Sequence, residues 1–218
     1  RRFRYGMQVN SLGLTELQPE NNVYRILIQM LPVVIAKNSR ARAVQLPAWN
    51  EALGLPRPWD QQWSLRLQQI MAFETDLLEF EDVLEGSTVI RRKVNLLKKS
   101  FYAEIKKIDK LGGLVEAIEN GYMKSKLVES QTIRQKSIEN GKQQVIGVNC
   151  YTEGEDSPLT NVNDGGFMKV DEKAEKKQIA EVIKFKSKRN QKKLKNLLEK
   201  LKDTASEGRN IMDISIRC

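Results

Sequence analysis

The alternation of strand-like and helical runs over the first 85 residues constrains the fold more than any other feature. Phe3 to Asn10 alternates in character. Pro19, Glu20 and Asn21 then open a helical stretch through Tyr24, Ile26, Leu27, Met30, Leu31 and Ile35, with apolar residues at helical spacing. Pro32 lies inside that stretch and predicts a kink, because it has no N–H to give the preceding turn. Arg40 to Leu46 reads as a second strand ended by Pro47. Pro58-Trp59-Asp60 opens a second helix carrying Trp63, Leu65, Leu67, Ile70 and Met71, and Thr75 to Phe80 reads as a third strand. Strands separated by helices of this length imply right-handed crossovers and a parallel sheet. The expectation is α/β architecture over residues 1–87.

From residue 88 the character changes to helices punctuated by glycine, and 88–151 reads as a helical extension with one short strand. Val94, Leu97, Phe101, Ile105 and Ile108 mark a first helix that Gly112-Gly113 breaks, ahead of a helical turn around Ala117. A further helix from Met123 to Ile138 stops at Asn140-Gly141, a left-handed termination signal. Val145 to Val148 reads as the short strand. Residues 152–167 hold Gly, Asp, Asn, Ser and Thr with few apolar anchors and read as a loop or linker. The segment 168–218 opens at Asp171 and reads as two helices joined near Asn190, one with Ile179, Val182 and Ile183, the other with Leu194, Leu197, Leu198 and Leu201.

Charge separates the same regions. Residues 168–218 carry fifteen Lys and Arg against eight Asp and Glu, which is +7 of the total formal charge of +9. Acids interleaved with the lysines, together with a helical apolar stripe, favour a solvated helix face over a nucleic-acid or membrane surface. Arg1 to Tyr5 is already strand-like with no initiating Met or leader before it, so the N-terminus reads as cut. No apolar run approaches the roughly 20 residues of a membrane span. Cys150 and Cys218 are far apart and lack metal-type spacing, which suits a reducing cytoplasm.

The chain has no histidine. Ser-His and Cys-His nucleophile systems are therefore excluded from it, and no phosphate loop of the Gly-rich Lys-Ser/Thr type is present. The strand faces carry the remaining chemistry. In the first strand Arg4, Gly6, Gln8 and Asn10 oppose Phe3, Tyr5, Met7 and Val9; in the second Ala41, Ala43 and Gln45 oppose Arg42, Val44 and Leu46. Interiors of (β/α)8 barrels are usually filled by bulky Val, Ile and Leu. Small and polar faces pointing inward would leave an open polar lumen for an extended ligand; the alternative is that they simply face solvent. Gln8 and Asn10 lie toward the C-terminal end of the first strand, and Trp49, Asn50 and Glu51 follow the second, where ligand groups gather in α/β folds. Glu51 reads equally as a carboxylate opening a helix and satisfying its free N–H groups.

Several motifs in order resemble one family. Phe3-Arg4 with Gln8, Leu14-Thr15-Glu16 and Asn21-Asn22, then Asn50-Glu51-Ala52-Leu53-Gly54-Leu55-Pro56, are similar to segments of methylmalonyl-CoA mutase family proteins, which have Asp-Glu-Ala-Leu-Gly-Leu-Pro at the second place. Gly112-Gly113, Ala117-Ile118-Glu119, Gly147-Val148-Asn149 with Tyr151, Val170-Asp171 and Gly208 with Asn210-Ile211 continue the resemblance over nearly the whole chain. Arg40 to Trp49 and Pro58 to Trp63 look most like the ethylmalonyl-CoA mutase branch. Ala43-Val44-Gln45-Leu46 stands where methylmalonyl-CoA mutases tend to carry Ser-Leu-His-Thr.

The resemblance implies the C-terminal portion of a (β/α)8 TIM barrel through which the CoA chain threads, followed by a mostly helical segment leading toward a separate cobalamin-binding domain. It implies an adenosylcobalamin-dependent carbon-skeleton isomerase working by a radical mechanism. Gln8 and Glu51 match positions that contact the cofactor, and Arg4 and Gln45 are candidates for the acyl-CoA substrate. No catalytic residue and no metal ligand is assigned. The front of the barrel and the cobalamin domain with its axial histidine are expected to lie outside this chain, as a missing part or as a separate subunit in a homo- or hetero-dimer. Two other readings stand beside it: a non-catalytic scaffold subunit of such a mutase, and a basic helical nucleic-acid binder using 168–218.

Overall fold

A computed structural model describes residues 3–162 and 164–218; Arg1 and Arg2, where the strand-like run begins in the sequence, and Asn163 of the loop lie outside the described residues. Two short strands, β1 (Met7–Gln8) and β2 (Val44–Gln45), pair in parallel with Met7 opposite Val44 and Gln8 opposite Gln45. The pairing extends beyond them, since Arg42 N–H donates to the Tyr5 carbonyl at 2.9 Å and Val9 N–H to the Gln45 carbonyl at 2.9 Å. Helix α1 (Asn21–Ile35) makes the crossover between them, as the strand–helix–strand pattern requires.

The apolar sides of these elements face one another. Val9, Leu14, Ile26, Met30, Leu46 and Met71 form the buried core, with Leu27, Val34, Val44, Ala52, Leu67 and Leu77 packed against it. Each such side chain removed from water contributes about 1.5–3 kcal/mol. Met71 comes from α2 (Pro58–Phe73), whose start at Pro58 follows from a proline at the first helical position. Pro32 falls in the last turn of α1, three residues before its end.

The third strand expected at Thr75 to Phe80 does not form. The chain turns there, with the Thr75 hydroxyl donating to the Met71 carbonyl at 2.5 Å and Glu79 N–H to the Asp76 carbonyl at 2.9 Å. A short apolar run has no strand character without a neighbouring ladder, and Thr and Asp here satisfy the backbone locally instead. Val145 to Val148 likewise is a turn closed by one bridge between Ile146 and Cys150. The Asn149 side chain accepts from Val145 N–H at 2.7 Å and donates to the carbonyls of Ile138 and Gln143.

Helix α3 (Thr88–Lys110), capped by the Ser87 hydroxyl, leads through Gly112-Gly113 into α4 (Leu114–Glu119) and α5 (Tyr122–Glu139). Gly141, at φ 73°, supplies the left-handed residue that ends α5. The Tyr122 hydroxyl donates to Glu104 at 2.6 Å, tying α5 to α3.

The chain divides into two compact units, Arg1–Met168 and Lys169–Cys218. The second comprises α6 (Glu172–Lys188), α7 (Gln191–Ser206) and α8 (Met212–Arg217). Asp171 and Asn190 cap α6 and α7 through their side chains, so the two-helix reading is extended by a third, shorter helix. Among the described residues no helix is long and apolar enough to cross a membrane.

Candidate functional site

Register settles which strand residues share a face. Gln8 lies opposite Gln45, and the place where a Cβ of Gly6 would stand is 3.7 Å from the Ala43 Cβ. Gly6, Gln8, Ala43 and Gln45 therefore form one small and polar face, which is exposed, while Val9 and Leu46 on the opposite face are buried in the core. A shallow groove runs along the polar face, lined by Gly6, Met7, Gln8, Ala43, Val44 and Gln45. Two amides on neighbouring parallel strands, about 4.8 Å apart across the ladder, present donors and acceptors side by side.

The chain leaving β2 folds into a tight buried turn. Ala48, Trp49 and Asn50 are almost fully buried, Glu51 N–H donates to the Ala48 carbonyl at 3.2 Å and Leu53 N–H to the Asn50 carbonyl at 2.8 Å. The turn is held from beneath by Asp60 in the first turn of α2. Its Oδ1 accepts from the Trp49 indole at 3.0 Å and from Arg57 Nη2 at 3.0 Å; its Oδ2 accepts from Asn50 Nδ2 at 2.8 Å, Arg57 N–H at 2.7 Å and Arg57 Nε at 2.9 Å. A carboxylate at 0% exposure is tolerable only with such partners. Trp49 also packs against Trp63 and Trp59, and the Arg57 guanidinium stands 4.2 Å over the Trp59 ring.

Residues from the far loop close the same cluster. Asn50 Nδ2 donates to the Gly166 carbonyl at 2.7 Å, and Arg57 Nη1 reaches both oxygens of Asp164 at 2.8 and 2.9 Å. Gly54 lies against the Phe167 ring, and Met168 N–H donates to the Leu55 carbonyl at 2.7 Å. The hydrogen bond from Arg57, then that from Gly166 N–H, holds the Asp164 carboxyl below its ordinary range; the bond to Asp60 raises the Arg57 guanidinium. On the other side of the turn Asn22, also fully buried, donates to the Trp49 carbonyl at 2.9 Å, and Arg25 joins Asn22 to the Ile146 carbonyl.

Gln8 and Gln45 thus come together in the groove, whereas Arg4 and Glu51 lie outside its lining. All four are exposed, and among the described residues none of their side chains makes a hydrogen bond or ion pair. Glu51 opens no helix: α2 starts at Pro58, and the carboxylate that serves its first turn is Asp60. Arg57-Pro58-Trp59-Asp60 carried that signal, with proline at the first position and an acid at the third. The pairing of Asp60 with Asn50, and of Arg57 with Asp164 more than a hundred residues later, has no local signature. Among the described residues no group of His, Cys, Asp or Glu is placed to hold a metal ion.

Comparison with known proteins bears on the whole length. The family model described as methylmalonyl-CoA mutase matches residues 1–218. The chain belongs to the methylmalonyl-CoA mutase family. Within that family it is 56% identical to the ethylmalonyl-CoA mutase of Methylorubrum extorquens over 98% of its own length and 31% of the relative's. It is 56% identical to that of Cereibacter sphaeroides over 99% of its length and 33% of the relative's. The methylmalonyl-CoA mutase of Cereibacter sphaeroides is 25% identical over 98% of this chain and 29% of the relative. The chain spans about a third of the length of these mutases.

Proposed function

We propose that this chain is a portion of an adenosylcobalamin-dependent acyl-CoA mutase of the ethylmalonyl-CoA type, a carbon-skeleton isomerase acting in the cytoplasm. The observation that carries this is the gap between 56% identity to two ethylmalonyl-CoA mutases and 25% identity to a methylmalonyl-CoA mutase, each over nearly the whole chain. The parallel pair β1 and β2 with crossover α1 is then a piece of the (β/α)8 barrel, its small polar face turned to the lumen. The cobalamin-binding domain or subunit and a dimer partner complete the site.

The donor set suits a nucleoside. Glu51 offers a carboxylate, without a partner among the described residues, that accepts from ribose hydroxyls, and Gln8 offers an amide that both donates and accepts; both follow or end parallel strands, where ligands of such folds bind. Gly6 and Ala43 leave room along the groove, so an extended acyl-CoA lies across it beside Gln45, with Arg4 as the cation for an anionic group. Gln45 neither takes nor gives a proton near neutral pH, so its part is orientation of the acyl group. The bound cofactor supplies the homolytic step that starts the rearrangement; the work of these residues is to orient and to exclude water.

Titration of this chain with 5′-deoxyadenosine, followed by calorimetry or ligand-observed NMR, tests the reading. Saturable binding that Glu51→Gln weakens by about tenfold, equivalent to about 1.4 kcal/mol, supports it. Absence of binding, or equal binding by the Glu51→Gln protein, overturns it.

A further inference from the structure

We propose that Asp60 is a positioning residue for Glu51, aiming its carboxylate at the nucleoside through the buried Asn50 amide and the Trp49 indole. The proposal rests on the cofactor role of Glu51 given above. Asn50 is fully buried, and its Nδ2 is held at 2.8 Å by Asp60 and at 2.7 Å by the Gly166 carbonyl. Glu51 follows it by one peptide bond. Trp49 precedes Asn50 and is tied to the other Asp60 oxygen. The backbone on the N-terminal side of Glu51 is therefore fixed by both oxygens of one carboxylate, while the Glu51 side chain is exposed and touches no partner among the described residues. An exposed carboxylate on a free loop would lose its orientation to rotamer and backbone freedom. Here only its own side-chain torsions remain free, which is the preorganisation a binding group needs.

Among the described residues, three donors other than Asn50 and Trp49 reach Asp60, all from Arg57. They hold the carboxylate itself in place. Asp60 touches neither substrate nor cofactor, so its effect on binding passes through Glu51 and disappears when Glu51 is altered.

Two measurements on this chain decide the matter. Hydrogen exchange of the amides of Glu51 and Leu53, whose bonds to Ala48 and Asn50 close the turn, should accelerate by about tenfold or more in Asp60→Asn, with the amides of α3 and α5 unchanged. Arg57→Gln, which removes the side-chain donors from a less buried position, should do the same to a smaller degree and serves if Asp60→Asn does not fold. In parallel, 5′-deoxyadenosine affinity is measured for the parent, Glu51→Gln, Asp60→Asn (or Arg57→Gln) and the double variant. Asp60→Asn should weaken binding by about tenfold, and the double variant should bind no worse than Glu51→Gln alone. Unchanged exchange at the turn, or additive losses in the double variant, would overturn the positioning role. A parent that binds no 5′-deoxyadenosine instead overturns the cofactor reading, and the exchange data then still decide whether Asp60 sets the turn.

Discussion

The Trp49 indole N–H donates to Asp60 Oδ1 at 3.0 Å, and both side chains are buried, at 1% and 0% exposure. A buried carboxylate that serves an indole, an amide and a guanidinium at once leaves the Trp49 indole without its acceptor when it is removed, and takes one from Asn50, which keeps the Gly166 carbonyl, and two from Arg57, which keeps Asp164. Asp60→Ala should therefore destabilise the first unit by about 3–5 kcal/mol, read as a shift of the chemical-denaturation midpoint with the tryptophan cluster as the fluorescent probe.

The ion pair between Arg57 and Asp164 gives the loop around Gly166 a pH dependence. The Asp164 carboxyl is held below its ordinary value in the folded chain, so its contribution is fully present above that ordinary value and is lost as pH falls through the depressed one. Proteolytic cleavage of the loop between residues 157 and 168 should accelerate on acidification through that window. Asp164→Asn should show the fast rate at neutral pH and no further acceleration. A loop equally protected in both proteins at neutral pH would count against the pair.

Gly54 sits at φ 153°, and a Cβ there would come within 2.9 Å of the Phe167 ring. Gly54→Ala combines backbone strain with a clash against an aromatic side chain, and a loss of about 1–3 kcal/mol is expected. Phe167→Ala together with Gly54→Ala relieves the clash and should recover part of the Gly54→Ala loss in a double-mutant cycle.

Residues 1–85 alone should not melt cooperatively. Asn50 and Arg57 bond to Gly166 and Asp164, and Arg25 to the Ile146 carbonyl, so the fragment loses these tertiary partners while its two-stranded sheet has no further strand to pair with. Circular dichroism of the fragment should show a broad, non-sigmoidal loss of signal; a sharp two-state transition would contradict this dependence.

The elements legible in the sequence are those with a local cause. Pro58 with Asp60 marked α2, Asn140-Gly141 the end of α5, and Asp171 and Asn190 the starts of α6 and α7. The parallel pair followed from two alternating runs either side of one helix. Thr75 to Phe80 and Val145 to Val148 misled because their short apolar runs say nothing about whether a neighbouring strand exists, and Thr75 and Asn149 turn the backbone with their own side chains. At the candidate site alternation put Gln8 and Gln45 each on the small, polar face of its own strand, and the register of the pair then set them side by side. The clamp beneath Glu51 was not readable, because Asn50 with Gly166 and Arg57 with Asp164 are joined by tertiary folding across more than a hundred residues.

The most direct test is to replace the corresponding third of the Methylorubrum extorquens ethylmalonyl-CoA mutase with this chain and to measure turnover with adenosylcobalamin on ethylmalonyl-CoA and methylmalonyl-CoA. The expected result is a folded chimera that rearranges ethylmalonyl-CoA in preference to methylmalonyl-CoA, with Glu51→Gln lowering turnover by about ten- to a hundredfold at unchanged melting temperature. A folded, cofactor-loaded chimera that rearranges neither thioester, or that prefers methylmalonyl-CoA, would contradict the assignment.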